Sequence, residues 1–173
     1  MYMPIIRREA AGDVEQIHKV NELAFEKKEE ADIVDRLREN CPEYFSFIAV
    51  VENQIVGHIL FTPAWIESPH GPITGMGLAP LAVIPEFQNH GIGGQLIQFG
   101  MDEIQKGGYL FVIVLGHPGY YPRFGFEKAS LYGVRCEYED VPDEAFMIKI
   151  FDPDITIQEP AVAHYRPEWA AAA

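Results

Sequence analysis

The chain reads as an α/β protein of the α+β kind, with a mixed, mostly antiparallel sheet accompanied by helices. Three observations predict this. Two apolar runs of strand length, "FSFIAVV" and "IVGHILFTP", flank the short turn "ENQ" as in a hairpin. A helical stretch from Gly94 to Lys106 stands between two strand-like runs, which makes a β-α-β unit with a right-handed crossover and parallel strands. The 173 residues, 48% hydrophobic and 23% charged, suffice for one globular domain with a sizeable core.

Taken in order, Ile5 and Ile6 before "RRE" form a short first strand. "GDVEQIHKVNELAF" is a helix, because Val14, Ile17, Val20 and Ala24 share one face and Asp13 can cap it. "EEADIVDRLREN" places Ile33, Val34 and Leu37 on one side and ends before Pro42. The hairpin follows. "SPHGP", Ser68 to Pro72, turns the chain into "ITGMGLAPLAVIP", a strand in which Gly75, Gly77 and Pro80 predict a bulge or a break in pairing. The helix from Gly94 points Leu96, Ile97, Met101 and Ile104 inward and stops at Gly107–Gly108. "YLFVIVLG" is a continuous apolar run, as expected of a strand buried on both faces. "FGFEKASLYGVRCEYE" and "EAFMIKIF" supply two more antiparallel strands. Residues 1–152 are expected to form a single domain, and 153–173 an extension of it with a loose end in "AAAA".

The formal charge of −13 argues against a nucleic-acid-binding surface, which needs clustered Lys and Arg. It suits general solubility and is compatible with a cationic substrate. Cys41 and Cys136 lie far apart without CxxC spacing, so they read as reduced thiols. "MYMPIIRREA" has no apolar leader, and the longest apolar run, Tyr109 to Leu115, is far short of the ~20 residues of a membrane span. A soluble, cytoplasmic protein without membrane contact is expected. Six scattered histidines, without H-x-H, H-E-x-x-H or a Cys-His cluster, give no metal site.

The most informative stretch is "PEFQNHGIGGQLIQFGMDEI", Pro85 to Ile104, where Gly91, Gly93 and Gly94 crowd a helix start. A glycine inside a helix costs about 1 kcal/mol relative to alanine, so bare backbone must serve a purpose there. Helix starts leave N–H groups unpaired and carry the positive end of the dipole, and glycines let an anion approach them. Leu96 breaks the dinucleotide pattern G-x-G-x-x-G, and no "GK[ST]" is present. The glycines alone leave two readings open, a backbone-bound pyrophosphate or a tight turn without ligand.

The order Gln88-x-x-Gly91-x-Gly93, after a strand and before a helix, resembles the acyl-CoA pyrophosphate loop of the GNAT superfamily of N-acetyltransferases. "PLAVIPEFQNHGIG", "VLGHPGYYPRFGF", "VGHILF", "EADIVDRLRE" and "DEAFMIKIF" are similar to one bacterial subfamily of it, over about residues 4 to 152. His117 and Pro122 depart from that pattern, which more often has Asp and a small residue there. The resemblance implies the GNAT fold, with helices on both faces and a parallel strand pair that splays around acyl-CoA. It implies acetyl-CoA as cosubstrate, with the backbone of Leu81, Ala82 and Val83 pairing with the pantetheine arm. Gln88, Asn89, His90, Gly91, Ile92, Gly93 and Gly94 would wrap the pyrophosphate, the Gln88 side chain helping to hold the loop.

The implied chemistry passes an acetyl group from the thioester to a primary amine of a small molecule or protein, by direct attack in a ternary complex. An alkylammonium has a pKa near ~10 and must lose a proton first. The oxyanion needs a donor, most economically an N–H of the Leu81 to Val83 strand, and the thiolate benefits from an acid. Tyr121, four residues before Gly125, occupies the family position of that acid, whereas Tyr120 reads as structural. His58 is the first candidate base, with Glu26, Glu29, Glu30, His117 or a water chain as rivals. A non-catalytic acyl-CoA sensor is the alternative function, and a homodimer is an allowed assembly.

Overall fold

In the computed structural model, which describes residues 2–172, the first strand β1 (Ile5–Arg8) leads through a short 3-10 turn into helix α1 (Val14–Phe25) and then α2 (Glu29–Asn40). The hairpin β2 (Phe45–Val51) and β3 (Gln54–Glu67) follows, then β4 (Ile73–Val83), helix α3 (Ile92–Lys106) and β5 (Phe111–Leu115). Short strands β6 (Glu127–Lys128) and β7 (Val134–Cys136) precede β8 (Phe146–Ile150) and β9 (Ala161–His164). The sheet order is β1-β2-β3-β4-β5-β8-β6, with β9 beside the second half of β3 and β7 beyond it. The β4–β5 and β7–β9 pairs are parallel, and the other pairs are antiparallel.

Strand periodicity decides which helix covers which face. Phe61 on β3 faces α3, so closely that a Cβ on Gly100 would collide with its ring. Gly57, four residues earlier on the same face, leaves room for Leu96 of α3. His58 and Thr62 point to the opposite face, where Asn21 of α1 reaches His58. Helices therefore cover both faces. The core between them is apolar: Ile17, Ile33, Val34 and Leu37 on the α1–α2 side, Leu96, Ile97 and Ile104 on the α3 side.

Two details differ from the sequence expectations. Asp13 does not cap α1; its carboxylate turns back to accept from the Ala10 N–H at 2.7 Å and from Arg7 at 2.7 and 3.1 Å. The pair with a guanidinium outcompetes a cap and holds the carboxyl below its usual pKa range. "FGFEKASLYGVRCEYE" forms two short strands around a 3-10 turn rather than one, and β7 pairs in parallel with β9. Within the C-terminal extension, Ala161 and Ala163 are buried in β9, and Trp169 is 7% exposed. Cys41 and Cys136 are both free thiols.

Candidate active site

A fork in the sheet positions the site. β4 and β5 pair from Met76–Val112 to Leu78–Val114 and no further. Beyond Leu78 the pairing of β4 with β3 shifts register, then resumes at Ile59–Leu81 and runs to Gly57–Val83. Pro80, inside the shift, has no N–H to give a ladder. β4 thus follows β3 away from β5. The Ile84 N–H donates to Val56 O at 2.9 Å, so by alternation the N–H groups of Leu81 and Val83 point to the open side.

At the open end stands the start of α3. Asn89 (φ 63°) and Gly91 (φ 83°) adopt left-handed backbone, which turns the chain tightly out of the 3-10 turn Pro85–Phe87. The first bond closing the helix is Gln95 N–H to Gly91 O at 3.1 Å, which leaves the N–H groups of Ile92, Gly93 and Gly94 without an intrahelical partner. The Gln88 side chain donates to Val83 O at 2.9 Å and ties the loop to β4.

A groove of about 720 Å³ runs from the loop along the stretch of β4 past the last β4–β5 rung. Leu81, Val83, Gln88, Asn89, Gly91, Ile92, Gly93 and Gly94 all line it. Two residues expected at the cofactor do not. Ala82 is buried with its side chain on the other face, as the cross-strand partner of His58. His90 turns to Gln88 O at 2.7 Å and packs edge-on against Tyr2. Both side chains thus stay out of the groove, and by the same alternation the Ala82 N–H faces β3.

The opposite wall comes from "HPGYYPRF": His117, Tyr120, Arg123 and Phe124 line the groove. A Cβ on Gly93 would lie 2.8 Å from the Tyr120 hydroxyl, so the glycine keeps that wall close. Tyr120, expected to be structural, is thus a groove residue. Arg123, whose guanidinium lies 4.9 Å from the Tyr120 ring centre, brings the cation that reading the glycines alone does not supply. Tyr121 packs against Gly116 at the end of β5 and edge-on to Tyr120 and Phe126. It is 9% exposed, and burial raises its pKa, so the phenol keeps its proton.

His58 requires a correction. It is fully buried, on the face away from α3, with Asn21 Nδ2 at 3.1 Å from Nδ1 and Ser46 Oγ at 2.9 Å from Nε2. Ser46 donates in turn to Glu9, which Arg38 grips at 2.9 and 3.0 Å. Burial pushes the imidazole pKa down to about 3, the Glu9 charge offsetting only part of it. A sealed, neutral histidine with both nitrogens occupied has no path to an amine. The signal missed in the sequence is that His58 lies in a strand buried on both faces.

The glutamates cluster at the α1–α2 junction. Glu26 and Glu29 are exposed, whereas one oxygen of Glu30 faces Lys27 at 3.3 Å and the other is buried without a partner. Among the described residues one group, His18, Asp32 and Asp35, has the ligand atoms for a metal within 4.8 Å. Both ring nitrogens of His18 already face carboxylates, Asp35 at 2.7 Å and Glu22 at 2.9 Å. Among the described residues no helix is long and apolar enough to cross a membrane.

A parallel strand pair that parts above a glycine-rich helix start defines an acyltransferase site. Residues 5–129 match the acetyltransferase (GNAT) domain, and the chain belongs to that family of N-acetyltransferases. It is 44% identical over 121 residues to the uncharacterized N-acetyltransferase YjhQ of Escherichia coli K12, covering 69% of this chain and 67% of that one. It is 32% identical over 145 residues to the uncharacterized N-acetyltransferase YhbS of the same strain, covering 83% and 85%. The crystal structure of E. coli YhbS in complex with CoA superposes with a TM-score of 0.85 at 27% identity, over 98% of this chain and 93% of that one. A GNAT acetyltransferase from Brucella melitensis in complex with acetyl-CoA gives 0.77 at 30% identity, over 98% and 99%.

Proposed function

We propose that the groove binds acetyl-CoA and that the enzyme passes its acetyl group to a primary amine of a small molecule or protein, by direct attack in a ternary complex. One observation carries this reading: unpaired N–H groups at the start of α3 and outward N–H groups on β4, just past the last β4–β5 rung, line a single groove. The pyrophosphate takes the amides of Ile92, Gly93 and Gly94, with Arg123 beside it. The pantetheine arm pairs with the free edge of Leu81 to Val83 as an added strand. The thioester then lies in the fork, where an N–H of Leu81 or Val83 receives the oxyanion.

The neutral amine attacks the thioester carbon, the C–S bond breaks, Tyr121 gives its proton to the departing sulfur, and the proton shed by the acylated nitrogen returns through solvent to the phenolate. Of the groups weighed as base, His58 is withdrawn by its burial, and the amine loses its proton to water. The chain's −13 charge favours a cationic acceptor electrostatically.

The test is release of free thiol from acetyl-CoA against a panel of small amines and lysine peptides. An amine-dependent release establishes the reaction. CoA binding without release under any amine would favour the sensor reading instead.

A further inference from the structure

Tyr165 lies outside the segment that matches the acetyltransferase domain, yet it reaches into the fork. Its hydroxyl lies 3.3 Å from Leu78 O on β4 and 3.3 Å from Ile113 O on β5, at the last rungs on which the two strands pair. The ring covers the backbone of Gly77, where a Cβ would come within 2.6 Å of it. Gly77 is the cross-strand partner of Thr62, so the ring approaches the fork from the face opposite α3. Tyr165 is 5% exposed.

The side chain is held by its surroundings. The Tyr165 N–H donates to Glu137 at 2.6 Å, and the preceding His164 stacks on Trp65 with ring centres 5.1 Å apart. β9 clamps the same segment between β3 and β7. A longer occupant of the fork therefore cannot swing the ring aside without unpicking this strand.

We propose that Tyr165 is the floor of the acyl slot and restricts the donor to short acyl groups. The inference rests on the acyl-CoA reading above. The pyrophosphate and the acyl carbon are opposite ends of the donor's reactive arm. If the first sits at the start of α3, the second comes to the vertex of the fork. What it meets there is the Tyr165 ring, and each added methylene must be packed against it.

Calorimetric dissociation constants of CoA, acetyl-CoA and hexanoyl-CoA test this on the full chain, Tyr165→Leu and Tyr165→Phe. The wild type should prefer acetyl-CoA over hexanoyl-CoA by roughly tenfold or more, and Tyr165→Leu should bring the ratio within about threefold. Tyr165→Phe keeps the ring and should keep the wild-type ratio within about twofold. A wild type that takes both donors equally overturns the proposal, as does an unchanged ratio in folded Tyr165→Leu. If Tyr165→Leu does not fold, the other two proteins decide, because loss of the preference in Tyr165→Phe also overturns it. No binding of CoA itself would overturn the acyl-CoA reading and this inference together. Binding of CoA without discrimination by length overturns this inference alone.

Discussion

Asn21 on α1 donates to His58 on β3 across 3.1 Å, and this fixes which nitrogen of the ring carries the proton. Nδ1 accepts, so Nε2–H donates to Ser46, whose hydroxyl donates to Glu9. The chain ends on the Arg38 guanidinium, and five secondary-structure neighbourhoods are joined by it.

A pH dependence of stability follows. The folded His58 pKa is pushed down to about 3, against an unfolded value of ~6.5. Between those values the unfolded chain binds a proton that the folded chain does not. The contribution is complete above about pH 6.5 and is lost as pH falls toward 3, with a slope of about 1.4 kcal/mol per pH unit. Urea unfolding at pH 7.5, 6 and 5 measures it. His58→Gln, which keeps a neutral hydrogen-bonding side chain, should flatten the slope in the range pH 5 to 6.5.

Gly93→Asp should weaken CoA binding by about tenfold or more, because it sets a carboxylate against the phosphates at a helix start. Its Cβ would also press on the Tyr120 hydroxyl. Calorimetry on a variant shown to be folded by circular dichroism tests this. Unchanged affinity would remove the phosphate site from the start of α3.

Arg123→Gln removes the guanidinium from the groove wall. Raised KM for acetyl-CoA, by about five- to tenfold, with kcat little changed is the expected result. The wild-type advantage should shrink as salt is raised from low to high concentration.

If Tyr121 protonates the thiolate, Tyr121→Phe should lower kcat by roughly a hundredfold and leave acetyl-CoA affinity nearly intact. Its pKa is raised, so loss of the phenol proton should not limit the rate below about pH 10. Tyr120→Phe, on the groove wall, should change KM more than kcat. A larger kcat loss in Tyr120→Phe than in Tyr121→Phe would exchange their roles.

Gly100→Ala separates packing from propensity. Alanine in a helix gains about 1 kcal/mol over glycine. Here the methyl would meet the Phe61 ring, and overpacking of a tight core costs about 1–3 kcal/mol. A net loss in the urea midpoint is expected.

The sequence carried the helices and the β-α-β unit clearly, because periodicity over twelve or more residues is a strong local signal: α2 spans Glu29–Asn40, the same residues that the pattern marks. The groove was legible through its glycines, since backbone that must stay bare leaves few alternatives. What stayed hidden depends on contacts between distant segments. β9 has four residues and no local signature, and its place is set by β3 and β7 on its two sides. Asp13 looked like a cap until Arg7 supplied a stronger partner. His58 looked available because a strand histidine in sequence does not reveal whether one face or both are covered. Tyr165 carried no motif at all, and only the fold brings it to Leu78 and Ile113.

The place of β9 has a consequence for the birth of the molecule on the ribosome. The outer end of β3, Trp65 to Glu67, waits for a partner that the ribosome supplies only with Ala161 to His164. At about 5–20 residues per second, that interval lasts several seconds to about 20 s. During it, Trp65 and Ile66 border an unpaired edge, the kind of surface that invites strands from neighbouring nascent chains. Slow translation between Glu67 and Ala161 would prolong the exposure, and a chaperone that covers β3 would shorten it.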